Sequence, residues 1–234
     1  MPPKINIQRA NIAPEFIELM IDLYKEWVVK NERIIRQSIG NPRHEHFAHS
    51  GRRMLQIAKR QSPSPRAGLD YEITRLRGLP YDKFYVVEEP SPTNPDQVIP
   101  WLAGHTRFVT MTNHANRKEV MGHMGCYTIF IPSTIVEYPS IDSIHMVPDR
   151  NHLSRNRHPH HYLNVTPDMQ LTLSPLAYPT GNCFGDYSGV IKGMIDEPDF
   201  PELFRQLYGH LCTYGILPPR HLDDLDFDIT TPER

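Results

Sequence analysis

Between Pro14 and Ile39 the apolar residues Phe16, Met20, Leu23 and Trp27 recur every three or four positions, with Ile17, Ile21, Tyr24 and Val28 beside them. This spacing predicts a helix whose apolar stripe is wide enough to be buried. Pro14 suits a first turn, Glu15 and Glu18 complement the positive helix end, and Gly40-Asn41-Pro42 predicts the stop. A stripe this apolar does not stay exposed, so the helix must pack on the body of the chain, on a copy of itself or on a partner. Residues 42–61 read as a polar loop carrying His44, His46 and His49 and a basic run, Arg52, Arg53, Lys59 and Arg60, that is a solvated face or a local anion site. Ser62-Pro63-Ser64-Pro65 reads as a linker or turn. A second short helix carries Leu69, Ile73 and Leu76 and ends near Gly78-Leu79-Pro80.

After that point the period changes. Lys83–Val87, Thr106–Met111 and Cys126–Ile131 are rich in β-branched and aromatic residues and bounded by Pro, Gly or Asn, and Ile144–Val147 is a fourth candidate strand. Strands in series with short or modest loops predict an antiparallel meander. A proline-rich stretch without helical periodicity runs from Tyr138 to Pro179. Leu203, Phe204, Leu207, Tyr208, Leu211 and Cys212 then share one helical face, with Asp199 and Glu202 at capping-box spacing and a stop near Tyr214-Gly215. Asp223, Asp224, Asp226 and Asp228 make a solvated acidic tail. The expected class is α+β: an N-terminal helical extension over 1–61, a main domain over 62–218 and a tail over 219–234.

Composition narrows the function classes. With 25 Lys+Arg against 27 Asp+Glu the net charge is -2, which supplies no global attraction to nucleic acid or an anionic membrane. No run approaches the ~20 apolar residues of a membrane helix, and Met1-Pro2-Pro3-Lys4-Ile5-Asn6 lacks a signal-peptide apolar region. A soluble cytoplasmic protein is expected. Three cysteines, at 126, 183 and 212, without CxxC spacing indicate neither a disulfide framework nor a cysteine-rich zinc site. No Walker loop, GxGxxG, GxSxG or kinase signature occurs, so no cofactor is expected. Of the 23 prolines, eleven lie between Pro90 and Pro179 and none falls inside the two longest predicted helices, a distribution that fits a rigid irregular segment rather than a disordered chain.

That segment leads to the candidate chemistry. Cys183 sits in Gly181-Asn182-Cys183-Phe184-Gly185-Asp186, where two glycines permit a tight turn with exposed N–H groups beside the sulfur. A thiol so placed can act as nucleophile and leaving group, with the N–H donors holding an oxyanion. Asp186 can orient or deprotonate an incoming amine, while its charge also raises the thiol pKa. The competing reading is a small residue filling a turn. Cys126 and Cys212 lie on a strand and a helix stripe and read as core. His152, His158, His160 and His161, and separately His44, His46 and His49, are dense enough to raise a metal-dependent hydrolase, but neither set has HExxH-type spacing, and no metal ligand is assigned.

The order of these features over residues 66–216 resembles the ubiquitin-conjugating-enzyme fold. Leu79-Pro80-Tyr81-Asp82-Lys83-Phe84-Tyr85-Val86-Val87 is similar to that family's run from first helix into first strand. Ile129-Phe130-Ile131-Pro132 followed by Glu137-Tyr138-Pro139 resembles its I-x-x-P…Y-P element, and His158-Pro159-His160 resembles its His-Pro-Asn, upstream of a single cysteine. Bacterial and phage-encoded relatives carry His-Pro-His and a Cys-x-Gly turn. The resemblance implies a helix, a four-stranded antiparallel meander, an irregular active-site segment and C-terminal helices. It also implies that Cys183 carries a ubiquitin-like modifier as a thioester received from a separate activating enzyme. His160, at the Asn position, would stabilise the oxyanion or order the loop, and His158 would pack against the backbone. The sequence departs from the family in the longer stretch between His160 and Cys183, which makes Val165–Thr180 an insertion, and in having Phe184 and Tyr187 rather than Trp after the cysteine. A non-catalytic scaffold of the same fold, binding partners through the N-terminal helix, is the alternative.

Overall fold

The structure is a computed structural model that describes residues 9–58, 65–90, 96–107, 109–113, 120–148, 184 and 187–212. Helix α1 spans Pro14–Ser38, with proline in its first turn, and ends at Gly40, whose φ of +81° lies in the left-handed region open to glycine. The chain turns back through a 3-10 turn at Pro42–His44 into helix α2, Glu45–Ala58. This replaces the polar loop expected from the sequence. Ala48, Gly51, Met54 and Ile57 are buried at intervals of three, and a Cβ on Gly51 would lie 2.8 Å from Ile35 Cδ1, so the two helices meet closely there. Helix α3 follows at Pro65–Arg77.

Among the described residues there are seven strands, the first ahead of α1 and the others after α3: β1 (Asn11–Ile12), β2 (Tyr81–Pro90), β3 (Val98–Thr106), β4 (Val109–Asn113), β5 (Val120–Gly125), β6 (Tyr127–Pro132) and β7 (His145–Pro148). Helices α4 (Ser188–Asp196) and α5 (Phe200–Cys212) are the last of the described elements. The main sheet is mixed and five-stranded, ordered β1-β2-β3-β6-β7; β1 runs parallel to β2, and the four strands from β2 to β7 are antiparallel neighbours. The chain is therefore α+β, with an edge strand more than the expected meander. The expected strand Thr106–Met111 is not one element: β3 ends at Thr106, and Val109–Met111 opens a separate β4–β5 hairpin. Pro100 is tolerated inside β3 because the β6 ladder begins only at Trp101, paired with Pro132.

One face of the sheet carries the core. A register shift between Tyr81 and Lys83 breaks the alternation, so Tyr81 and Phe84 both turn toward the helices and stack at 4.8 Å. Phe204 of α5 packs edge-on to both, at 5.6 and 5.2 Å, and the Tyr81 hydroxyl donates to the Phe204 carbonyl at 2.8 Å. Helix α1 packs on this body, the first of the three outcomes its stripe allowed. Phe16 lies 5.2 Å from Phe84 and 5.9 Å from Phe204, Tyr24 lies 5.2 Å from Phe200, and the Trp27 indole donates to the Asp196 carbonyl at 2.7 Å.

Gly104 makes room for this aromatic cluster. A Cβ there would lie 2.8 Å from Phe204, 2.9 Å from Tyr81 and 3.0 Å from Phe84, all at ring carbons in fully packed surroundings. Gly104→Ala is expected to destabilise the protein by about 1–3 kcal/mol through overpacking. A urea denaturation midpoint unchanged from the parent would show that the rings yield freely. Among the described residues no helix is long and apolar enough to cross a membrane.

Candidate functional site

Cys183, His158, His160 and Asp186 lie outside the described residues. Of these, Cys183 and Asp186 each have a described residue next in the chain, Phe184 and Tyr187. Phe184 is buried, 2% exposed, with its ring 5.2 Å from the His210 ring of α5. Tyr187 meets the same imidazole at 5.4 Å, and its N–H donates to the Phe184 carbonyl at 2.9 Å. His210 thus touches both described residues of this turn, just ahead of α4.

The other two cysteines are half-buried thiols. Cys212 ends α5 at the edge of the main core, one turn beyond Tyr208. Burial pushes its thiol pKa up, with a hydrogen bond from Tyr208 acting the other way. A thiol held protonated is a poor nucleophile, which fits its reading as a packing residue. Burial and the Cys212 thiol push the Tyr208 phenol up as well.

His44, His46 and His49 belong to the 3-10 turn and α2 rather than to a loop. His46 Nε2 lies 3.3 Å from Glu197 Oε1, and the Ser50 hydroxyl donates to Glu197 Oε2 at 2.7 Å. Among the described residues no group of three His, Cys, Asp or Glu is placed to hold a metal. An open pocket of about 220 Å³ at the α1–α2 turn, lined by Ser38, Gly40, Asn41, Glu45, Ala48 and Arg52, contains none of the candidate residues.

Two charged or polar arrangements escaped the sequence reading. The first is an ionic junction where α1, α2, α3 and α5 meet. Arg53 of α2 donates to Glu72 Oε1 at 3.2 Å, to Asp199 Oδ2 at 3.1 Å and to the Pro198 carbonyl at 2.9 Å. Arg75 of α3 reaches Glu72 at 3.4 Å, Asp199 Oδ1 at 2.9 Å and Glu202 at 3.4 Å, while Glu202 also pairs with Arg205. The Glu72 side chain is 1% exposed and lies close to the buried Tyr24 hydroxyl. Burial raises the Glu72 pKa despite the opposing pull of Arg53. Asp199 also caps α5, accepting from the Glu202 N–H at 3.1 Å, and this half of the predicted capping box was legible. The other half is absent, since the Asp199 N–H donates to the Met194 carbonyl.

The second arrangement lies on the opposite face of the sheet, where Trp101, Ala103 and Phe130 form a separate buried cluster. His145 meets Trp101 there edge-to-face at 5.4 Å.

Comparison with family models, curated proteins and solved structures gives no match to this chain. The fold defines an α+β protein whose five-stranded mixed sheet is covered on one face by helices.

Proposed function

We propose that this chain is a ubiquitin-conjugating-like protein that carries a ubiquitin-like modifier on Cys183 and transfers it to an acceptor. The observation that carries this reading is the order of elements. Helix α3 precedes four antiparallel strands, β2, β3, β6 and β7, in sequential sheet order; the segment with His158-Pro159-His160 and Cys183 follows; α4 and α5 come last. The seating of Phe184 beside His210 supports it, because a nucleophile is most effective when its neighbour is fixed in the core.

In the first step the Cys183 thiolate attacks the modifier's C-terminal carbonyl, held as a thioester on an activating enzyme. A new C–S bond forms and the activating enzyme's thiolate leaves. In the second step an acceptor amine attacks that carbonyl, gives up a proton to Asp186 or to water, and expels the Cys183 thiolate as the amide forms. His160 donates to the oxyanion in both steps, and His158 holds the loop.

Incubation with a ubiquitin-like modifier, its activating enzyme and ATP is expected to give an adduct cleaved by thiol reductants. Cys183→Ala should abolish it, Cys183→Ser should yield a reductant-resistant ester, and Cys212→Ser should leave it intact. An adduct that persists in Cys183→Ala, or none across a panel of modifiers with their activating enzymes, refutes the assignment.

A further inference from the structure

The sheet face away from α1 and α5 carries a row across four strands. Ladder register places Tyr85 opposite Ala103, Ala103 opposite Phe130, and Phe130 opposite His145, with Val87 opposite Trp101 one rung along. Trp101 is 3% exposed and His145 5%, so both are buried. Neither Trp101 Nε1 nor His145 Nε2 has a hydrogen-bond partner among the described residues. Two aromatic rings that touch, each with a buried polar nitrogen unpaired, form a contact balanced against hydration.

Among the described residues, the surroundings of His145 are uncharged. From β6 it meets Phe130, flanked by Thr128 and Pro132 on the same face; from β3 that face presents Ile99, Trp101, Ala103 and His105. His105 is the one titratable group among these, and its Nδ1 lies 3.2 Å from Thr128 Oγ1. On β7 itself the next residue on this side is Val147. The charged residues of this face, Lys83 and Glu89, stand on β2, two strands beyond β6, and Lys83 Nζ lies over the Tyr85 ring at 4.9 Å. Asp142, in the turn before β7, is exposed.

Among the described residues, an imidazolium at this position has no carboxylate to meet. Attraction to the indole offsets only part of the cost of taking the charge out of water. The β7 backbone is fixed from the other side, where Ile144 and Met146 are buried in the helix-covered core. The low-cost response to a proton is therefore a side-chain movement outward, not loss of the strand.

We propose that His145 is a proton-operated latch on this face. Protonation of its ring swings the imidazole away from Trp101 and opens the row Tyr85, Ala103, Phe130 and His145 to water, while the helix-covered core stays folded. Burial lowers the His145 pKa from its ordinary 6.5. The closed form is therefore complete above that value and is lost as the pH falls below it. The latch stands independently of the conjugation chemistry at Cys183.

The chain has two tryptophans, so Trp27→Phe leaves Trp101 as the sole indole. Acrylamide quenching of its emission is expected to rise about threefold between about pH 7.5 and about pH 5, with a red shift and an unchanged far-ultraviolet dichroism spectrum. In His145→Gln added to that variant, the quenching should be independent of pH. Should Trp27→Phe fail to fold, the difference in emission between the parent and Trp101→Phe gives the same readout. Flat quenching across this range overturns the latch. So does a transition that survives in His145→Gln, or one that coincides with loss of the dichroism signal.

Discussion

Deleting residues 1–58 is expected to abolish cooperative folding, not merely to remove an appendage. Phe16, Met20, Ile21, Leu23, Tyr24 and Trp27 of α1 are each at most 2% exposed and belong to the same core cluster as Phe84, Leu102, Ile129 and Phe204. Full burial of such a side chain contributes about 1.5–3 kcal/mol, so the six together contribute on the order of 10 kcal/mol. Native stability for a domain is about 5–15 kcal/mol. The deletion also strips β1 from the edge of β2 and withdraws Arg53 and Tyr24 from Glu72. Of the basic partners of this buried carboxylate among the described residues, only Arg75 then remains. The truncated chain should show no sharp thermal transition by circular dichroism and should aggregate on sizing. A cooperative melt with the parent's near-ultraviolet spectrum would mean that the sheet, α3 and α5 bury enough on their own.

What the sequence disclosed follows from how local each determinant is. Helices α1 and α5 were legible because large apolar residues mark every turn of one face, as with Phe16, Met20, Leu23 and Trp27. Helix α2 was hidden because half of its buried positions are small: Ala48 and Gly51 carry little hydrophobic signal, and His44 to Arg53 dominates the local composition. Close approach to Ile35 requires that smallness, so the feature that packs the helix also concealed it. Strand β3 goes unassigned up to Thr106, and Pro100 and Gly104 are residues that argue against a central strand. Both are explained by non-local partners, the late start of the β6 ladder and the three rings over Gly104. The ionic junction was illegible for the same reason. Tyr24, Arg53, Glu72 and Asp199 are scattered over most of the chain, and only the capping role of Asp199 is written in its neighbourhood.

That junction carries the second large effect. Asp199→Ala is expected to cost about 3–5 kcal/mol, because it leaves two partly buried guanidinium groups short of a counter-charge, in addition to losing a helix cap. Arg53, Arg75 and Asp199 have side chains only 22–24% exposed, so solvent screening leaves much of this interaction intact. Asp199→Asn keeps an acceptor for the Glu202 N–H but not the charge, and should fall between Ala and the parent. Glu72→Gln, although it alters the more buried carboxylate, should cost less than Asp199→Ala. Burial already disfavours the ionised form of Glu72, and a neutral amide keeps an acceptor for Arg53 or Tyr24. Because the folded pKa of Glu72 is raised above its ordinary 4.5, the native state takes up this proton before the unfolded chain does. Its contribution to stability therefore grows as the pH falls toward 4.5. His145, whose pKa is lowered by burial, and Glu202, whose pKa is lowered first by its hydrogen bond to Arg205, act in the opposite sense. The Glu72 contribution must be read as a difference between parent and Glu72→Gln in urea midpoints at neutral and mildly acidic pH. The parent should gain on the variant as the pH falls. A gap that widens in the variant's favour would mean that Arg53 and Arg75 dominate over burial and hold Glu72 ionised.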